Sequence, residues 1–240
     1  MGVAPGLWPG ALPLTQRNRL AARRSRNLHW PLPRGFAILA AAFKREGISM
    51  DQSTALLIVD MQQEMANVTA SGRQRANPQA EERVAELAAG FRASGLPVVH
   101  VMHDDPRPES KFRRDLPSGQ PMDCALPAEG EPVFWKTGSS GFTGTGLEAH
   151  LREAGIGKLV IAGGVAAFCV NSTARSAANL GFAIQVVEDA LIAFDIPARK
   201  GGMLDAGQVL EVTLSALHAG FGTVLPASEV LAELQAAATA

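Results

Sequence analysis

From residue 55 onward the chain alternates short apolar runs with longer stretches whose apolar residues recur at helical spacing. ALLIV (residues 55–59) is apolar at every position, as in a strand buried on both faces of a parallel sheet. In ANPQAEERVAELAAGFRASG, residues Val84, Leu87, Ala88 and Phe91 share one helical face. Asn77 is placed to cap that helix, Pro78 suits its first position and Gly95 its stop. LPVVHVM reads as the next strand. A polar, proline-rich stretch then runs from about residue 104 to residue 132, and loops of that length inside compact domains are commonly functional, often lids. VFW leads into Lys136. Thr145 and Glu148 have capping-box spacing at the start of the helix GLEAHLREAG. KLVIAG and FAIQVV read as strands on either side of a helix, FCVNSTARSAANLG, that stops at Gly181. LDAGQVLEVTLSALHAG (helix), FGTVL (strand) and ASEVLAELQAA (helix) close the pattern. Repeated βα units predict an α/β fold of three αβα layers around a mostly parallel sheet.

Composition narrows the function classes. At 240 residues the chain suits one domain with a full core, or one domain and a tail. The net charge of -1 hides an asymmetry: residues 1–50 hold eight of the 22 basic residues and one of the 23 acidic ones. The remainder, with 14 basic against 22 acidic residues, is an acidic body with no attraction for nucleic acid. No run approaches the ~20 apolar residues that a membrane span needs. Residues 1–49 are rich in Pro, Gly, Arg and Trp, and their one apolar stretch, 36–43, is short for a signal core. They read as a disordered or atypical extension preceding a single domain over 50–240, and Met50 is an alternative start. Two cysteines, Cys124 and Cys169, make no disulfide framework and fit a reducing, cytoplasmic setting. Cys124 lies in a loop-like stretch and reads as incidental.

Three residues with reactive side chains stand where strands end: Asp60 after ALLIV, Lys136 after VFW, and Cys169 after KLVIAGG and a few small residues. In open α/β sheets that edge is where sites are built. Singly, each is most simply a turn acid, a solvated lysine or a core thiol; their shared position argues for a cysteine nucleophile with its own acid and base. A helix start at Cys169 and a nearby Lys136 would both favour the thiolate, while Asp60 would move protons. The small residues before Cys169 would let backbone N–H groups approach an oxyanion.

These segments resemble the isochorismatase-like cysteine hydrolase superfamily over about residues 54–231. VDMQ, with Asp60 and Gln62, resembles one block. Lys136, Ser140, Phe142, Thr145 and Leu147 resemble a second. Gly163, Cys169, Val170, Thr173, Arg175 and Ala177 resemble a third. The resemblance implies a six-stranded parallel sheet and a triad of Asp60, Lys136 and Cys169. It also implies a non-proline cis peptide at Val165–Ala166, with oxyanion donors on Ala166 and Cys169. Ala166 and Ala167 replace residues that usually carry a hydroxyl and a carboxylate. No cofactor is implied, and His103, Asp104 and Asp105 lack the spaced second histidine of the family's metal-binding branch, so no metal is expected. Gln62, His103, Trp135, Phe142 and Phe168 are candidate substrate contacts, His103 otherwise capping its strand; for the three aromatics a buried core role is an equal alternative. The implied activity is cleavage of a small-molecule amide or related C–N bond through a thioester, by a homo-oligomer. The alternatives are vinyl-ether hydrolysis by Asp60 alone, an idle binding protein on the same fold, and a redox thiol, which the lack of a nearby resolving cysteine disfavours.

Overall fold

The computed structural model describes residues 50–239; the extension expected over residues 1–49 lies outside them. Strand β1 (Thr54–Val59) is buried at every position. It runs parallel between β3 (Val98–His103) and β5 (Lys158–Gly164), with helices over both faces, so no side of it meets water and its sequence does not alternate. β4 (Val133–Lys136) pairs outside β3, and β6 (Ala183–Phe194) outside β5. The first half of β6 pairs with β9 (Thr223–Leu225) and its end with the antiparallel β2 (Arg75–Ala76). The expected six parallel strands are therefore present, joined by a two-residue antiparallel seventh in one sheet.

Alternate residues of the strands feed two cores. Leu56, Ile58, Val160 and Ala162 face α1 (Gln63–Ala70), α2 (Ala80–Ala93) and α6 (Ala227–Ala238). Ala55, Leu57, Val59, Leu159 and Ile161 face α3 (Leu147–Glu153), α4 (Asn171–Asn179) and α5 (Ala206–Gly220). Val84, Leu87 and Phe91 of α2 are wholly buried; each large apolar side chain removed from water contributes about 1.5–3 kcal/mol. No helix among the described residues is long and apolar enough to cross a membrane.

Several local expectations are corrected. Asn77 does not cap α2. Its backbone is left-handed (φ 55°), and its amide donates to the Glu188 and Leu191 carbonyls of β6, at 2.6 and 2.9 Å. Thr145 lies one residue too early for a capping box: its hydroxyl accepts from Leu147 N–H and donates to Gly141 O. Helix α1 escaped the pattern because it buries one apolar side chain, Met65, so it has no stripe to read. A small hairpin of β7 (Ile196–Pro197) and β8 (Met203–Leu204) was equally silent. β6 runs on past the acidic pair Glu188–Asp189; Asp189 accepts the first N–H of α6, at 2.8 Å, so its charge serves a helix N-terminus.

The stretch from 104 to 132 is stitched down. Met122 N–H donates to Met61 O, Gln63 N–H to Gln120 O, and Met122 and Ala125 are core residues. At its far end Glu131 takes both arms of Arg92 from α2 (2.7 and 2.8 Å) and the ring of His100 from β3 (2.9 Å).

Candidate active site

The strand order β4-β3-β1-β5-β6 reverses direction at β1, since successive strands go first to one side of it and then to the other. The carboxyl ends of strands at such a switch point leave a crevice uncovered by connecting chain. Asp60 follows the end of β1, Lys136 ends β4, and Cys169 lies in a π-helical turn, Ala166–Val170, that leads from β5 into α4.

Asp60 leaves the strand in the left-handed region (φ 48°), a conformation that Asp tolerates better than most residues. Its N–H donates to Val101 O at 2.8 Å, and its own carbonyl accepts from Gln62 N–H at 2.9 Å, which closes a tight turn. Asp60 and Lys136 are each 1% exposed. Lys136 Nζ donates to Asp60 Oδ2 at 2.8 Å and lies 3.3 Å from Cys169 Sγ and 3.3 Å from His103 Nδ1. Asp60 Oδ1 is buried, and among the described residues no group stands in hydrogen-bond geometry to it. The three residues picked from strand ends are thus brought together by the fold.

The electrostatics depart from the expected resting thiolate. Burial, and then the Asp60 carboxylate, push the Cys169 thiol up to about 12, against the opposing pull of Lys136. Burial likewise raises the Asp60 carboxyl, with Lys136 acting the other way. A lone charge in this pocket is costly, and Asp60 and Lys136 already form one neutral pair. Cys169 therefore rests as a thiol beside a carboxylate with a raised appetite for a proton. Cys124, half-buried in the loop, is also held up, at about 11, chiefly by burial.

The non-proline cis bond joins Gly164 to Val165, one residue before the place expected. Strand β5 reaches Gly164 and the π-turn begins at Ala166, so the chain has only Val165 in which to reverse. The N–H after the bond is therefore that of Val165, and Ala166 is a fully buried core residue. Gly163 makes the approach possible. At φ 119° it lies so close to β1 that a Cβ would stand 2.0 Å from Val59 O.

Among the candidate substrate contacts, Gln62 is wholly buried and fully engaged: it donates to His103 O and Gly119 O (2.9 and 2.7 Å) and accepts from His103 N–H (2.9 Å). It clamps β1, β3 and the loop together, and both of its amide N–H groups are spent on backbone carbonyls. Phe142 packs on Phe182 in the core on the α3 side. Trp135 has the Arg114 guanidinium over its ring, 5.6 Å from the centroid. Phe168 is 53% exposed beside the nucleophile position. His103 is half-buried, edge-on to Phe112. Its acidic neighbours are committed elsewhere, Asp104 to Arg114 N–H and Asp105 to the Arg107 guanidinium. Among the described residues no cluster of three or more His, Cys, Asp or Glu could hold a metal ion.

Comparison with known proteins agrees with this fold. Residues 54–224 match the isochorismatase domain model. A secreted isochorismatase effector of Verticillium dahliae is 32% identical over 181 residues, 75% of this chain and 90% of that protein. A streptothricin hydrolase of Streptomyces noursei is 30% identical over 207 residues, 83% of this chain and 75% of its own. The crystal structure of an isochorismatase-family protein from Chromobacterium violaceum superposes with a TM-score of 0.73 at 36% identity, covering 78% of this chain and 95% of that one. The chain belongs to the isochorismatase family of hydrolases.

Proposed function

We propose that this hydrolase cleaves a small amide or related C–N bond through a thioester on Cys169. The observation that carries the reading is the buried Lys136 ammonium, 2.8 Å from Asp60 Oδ2 and 3.3 Å from Cys169 Sγ. Asp60 takes the Cys169 proton as Sγ attacks the substrate carbonyl. The raised thiol requires this transfer to accompany attack, because little thiolate exists beforehand. The oxyanion is held by the N–H groups of Val165 and Cys169. Asp60 then delivers the proton to the departing nitrogen, the C–N bond breaks, and the amine or ammonia leaves. Water attacks the thioester while Asp60 accepts its proton; the acid departs and the proton returns to Sγ. Lys136 keeps its positive charge throughout and offsets the charge on whichever neighbour is ionised.

A catalytic thiol agrees with the two free cysteines and with a reducing, cytoplasmic setting. Hydrolysis is also the reaction named for the Streptomyces relative. A second reading has one observation in its favour. The raised Asp60 carboxyl, whose Oδ1 has no group in hydrogen-bond geometry among the described residues, could protonate a vinyl ether without the thiol. A panel of small amides, ureas, carbamoyl compounds and vinyl ethers separates the two. Amine or ammonia release that vanishes in Cys169→Ala supports thiol chemistry, whereas vinyl-ether cleavage that survives in Cys169→Ala supports Asp60 acting alone.

A further inference from the structure

We propose that His103 is a positioning residue of the reaction: a neutral imidazole whose Nδ1 is the third acceptor of the Lys136 ammonium. The proposal rests on the function proposed above for Asp60, Lys136 and Cys169.

An ammonium has three N–H donors arranged tetrahedrally and no acceptor. Three acceptors lie within reach of Lys136 Nζ: Asp60 Oδ2 at 2.8 Å, Cys169 Sγ at 3.3 Å and His103 Nδ1 at 3.3 Å. Each comes from a different element, so together they fix a side chain that otherwise turns freely. The third contact is built into the sheet. His103 and Lys136 are register partners on the parallel strands β3 and β4, so both side chains leave the strand ends on the same side. The backbone of His103 is itself locked, since both its N–H and its carbonyl are held by the Gln62 amide. Phe112 packs edge-on against the ring.

The contact defines the protonation state. Nδ1 can accept from Lys136 only if it carries no proton, which puts the ring proton on Nε2. An imidazolium would place two cations 3.3 Å apart. The charged groups around the ring are Lys136 on β4, Asp60 after β1, and Asp104 and Asp105 on the chain that follows, with Arg107 neutralising Asp105. Burial and Lys136 lower the His103 pKa, while the three carboxylates oppose them more weakly. His103 therefore holds a second proton less readily than a free imidazole does. As pH falls through its lowered value, protonation breaks the third contact and releases Lys136 from its fixed position.

Two readouts test this. The first is histidine ring ¹⁵N NMR of the full chain, across a pH titration, in wild type and Lys136→Met. The expected result is an Nε2–H tautomer that titrates below about 6.5 in wild type and at higher pH once the lysine charge is gone. An Nδ1–H tautomer, or a midpoint unmoved by Lys136→Met, would overturn the proposal. The second is the rate of Cys169 alkylation by iodoacetamide, read by peptide mass spectrometry with Cys124 as internal reference. His103→Asn keeps an acceptor at the Nδ1 position but cannot be protonated; His103→Leu keeps bulk and loses the acceptor. The Leu variant should lose about tenfold or more in alkylation rate, and the Asn variant should recover most of it. The low-pH fall attributable to His103 should be missing in Asn. Equal losses in Asn and Leu, at unchanged Tm, would overturn positioning through Lys136. A wild-type enzyme that hydrolyses none of the amide panel would count against the proposed function, while the NMR titration would still decide the state of His103.

Discussion

Lys136 sits where two neighbours compete for one proton, and its removal should affect them differently. Lys136→Met leaves the Asp60 carboxylate buried without a counter-charge, so Asp60 takes up a proton and ceases to act as a base. Losing one partner of a buried pair costs about 3–5 kcal/mol, which a fall in Tm would register alongside the loss of hydrolysis. Asp60→Asn separates thiol reactivity from turnover. The Asp60 charge helps hold the Cys169 thiol up to about 12, so removing it should lower that value and speed alkylation by iodoacetamide at pH near 8, where thiolate is the reacting form. Turnover should fall in the same variant, because nothing then carries the proton to the leaving nitrogen. Slower alkylation in Asp60→Asn would show that Asp60 supports the thiolate in the resting site. The residues themselves were legible in the sequence because all three end or follow strands. Their charge states were not, since burial depends on packing that no local pattern records.

At the scale of elements, close backbone contacts and ion pairs at strand ends hold the site. Gly163→Ala would drive a methyl group into Val59 O between β1 and β5, and at φ 119° it would be strained as well. A loss of more than about 4 kcal/mol is expected, enough to unfold many domains of this size, and circular dichroism melts would detect it. Glu131 ties α2, β3 and the end of the long loop together. Arg92, Ala128 N–H and His100 outweigh burial and hold its carboxyl down at about 2. Its contribution is therefore fully present above the unfolded value of about 4.5 and is lost as pH falls toward 2. Glu131→Gln should cost about 2 kcal/mol at neutral pH, with a Tm that then changes less than that of wild type between those two pH values. Strands and long helices could be read from the chain because their burial repeats. Three features could not. Asn77 cross-links to β6 rather than capping, the cis bond is set by where β5 stops, and Gln62 spends its amide on backbone more than 40 residues away. Each depends on partners distant in sequence. The Lys136–His103 contact was hidden for the same reason, because it exists only once β3 and β4 are in register.

For the whole molecule, the sheet reverses at β1, and three separate βα units each deliver one reactive side chain to the strand ends there. The match to the isochorismatase domain begins at residue 54, and Met50 is already a core residue, 5% exposed. A chain begun at Met50 should keep the Tm and the hydrolytic activity of the full chain, which side-by-side melts and assays would check. The most direct test of the account is intact-mass spectrometry of enzyme quenched during turnover of an amide that it hydrolyses. The account predicts a mass increase equal to the acyl group, mapped to Cys169, sensitive to hydroxylamine and absent from Cys169→Ala, which should also be inactive. Turnover by Cys169→Ala at a rate near that of wild type, with no acyl adduct in either protein, would contradict it.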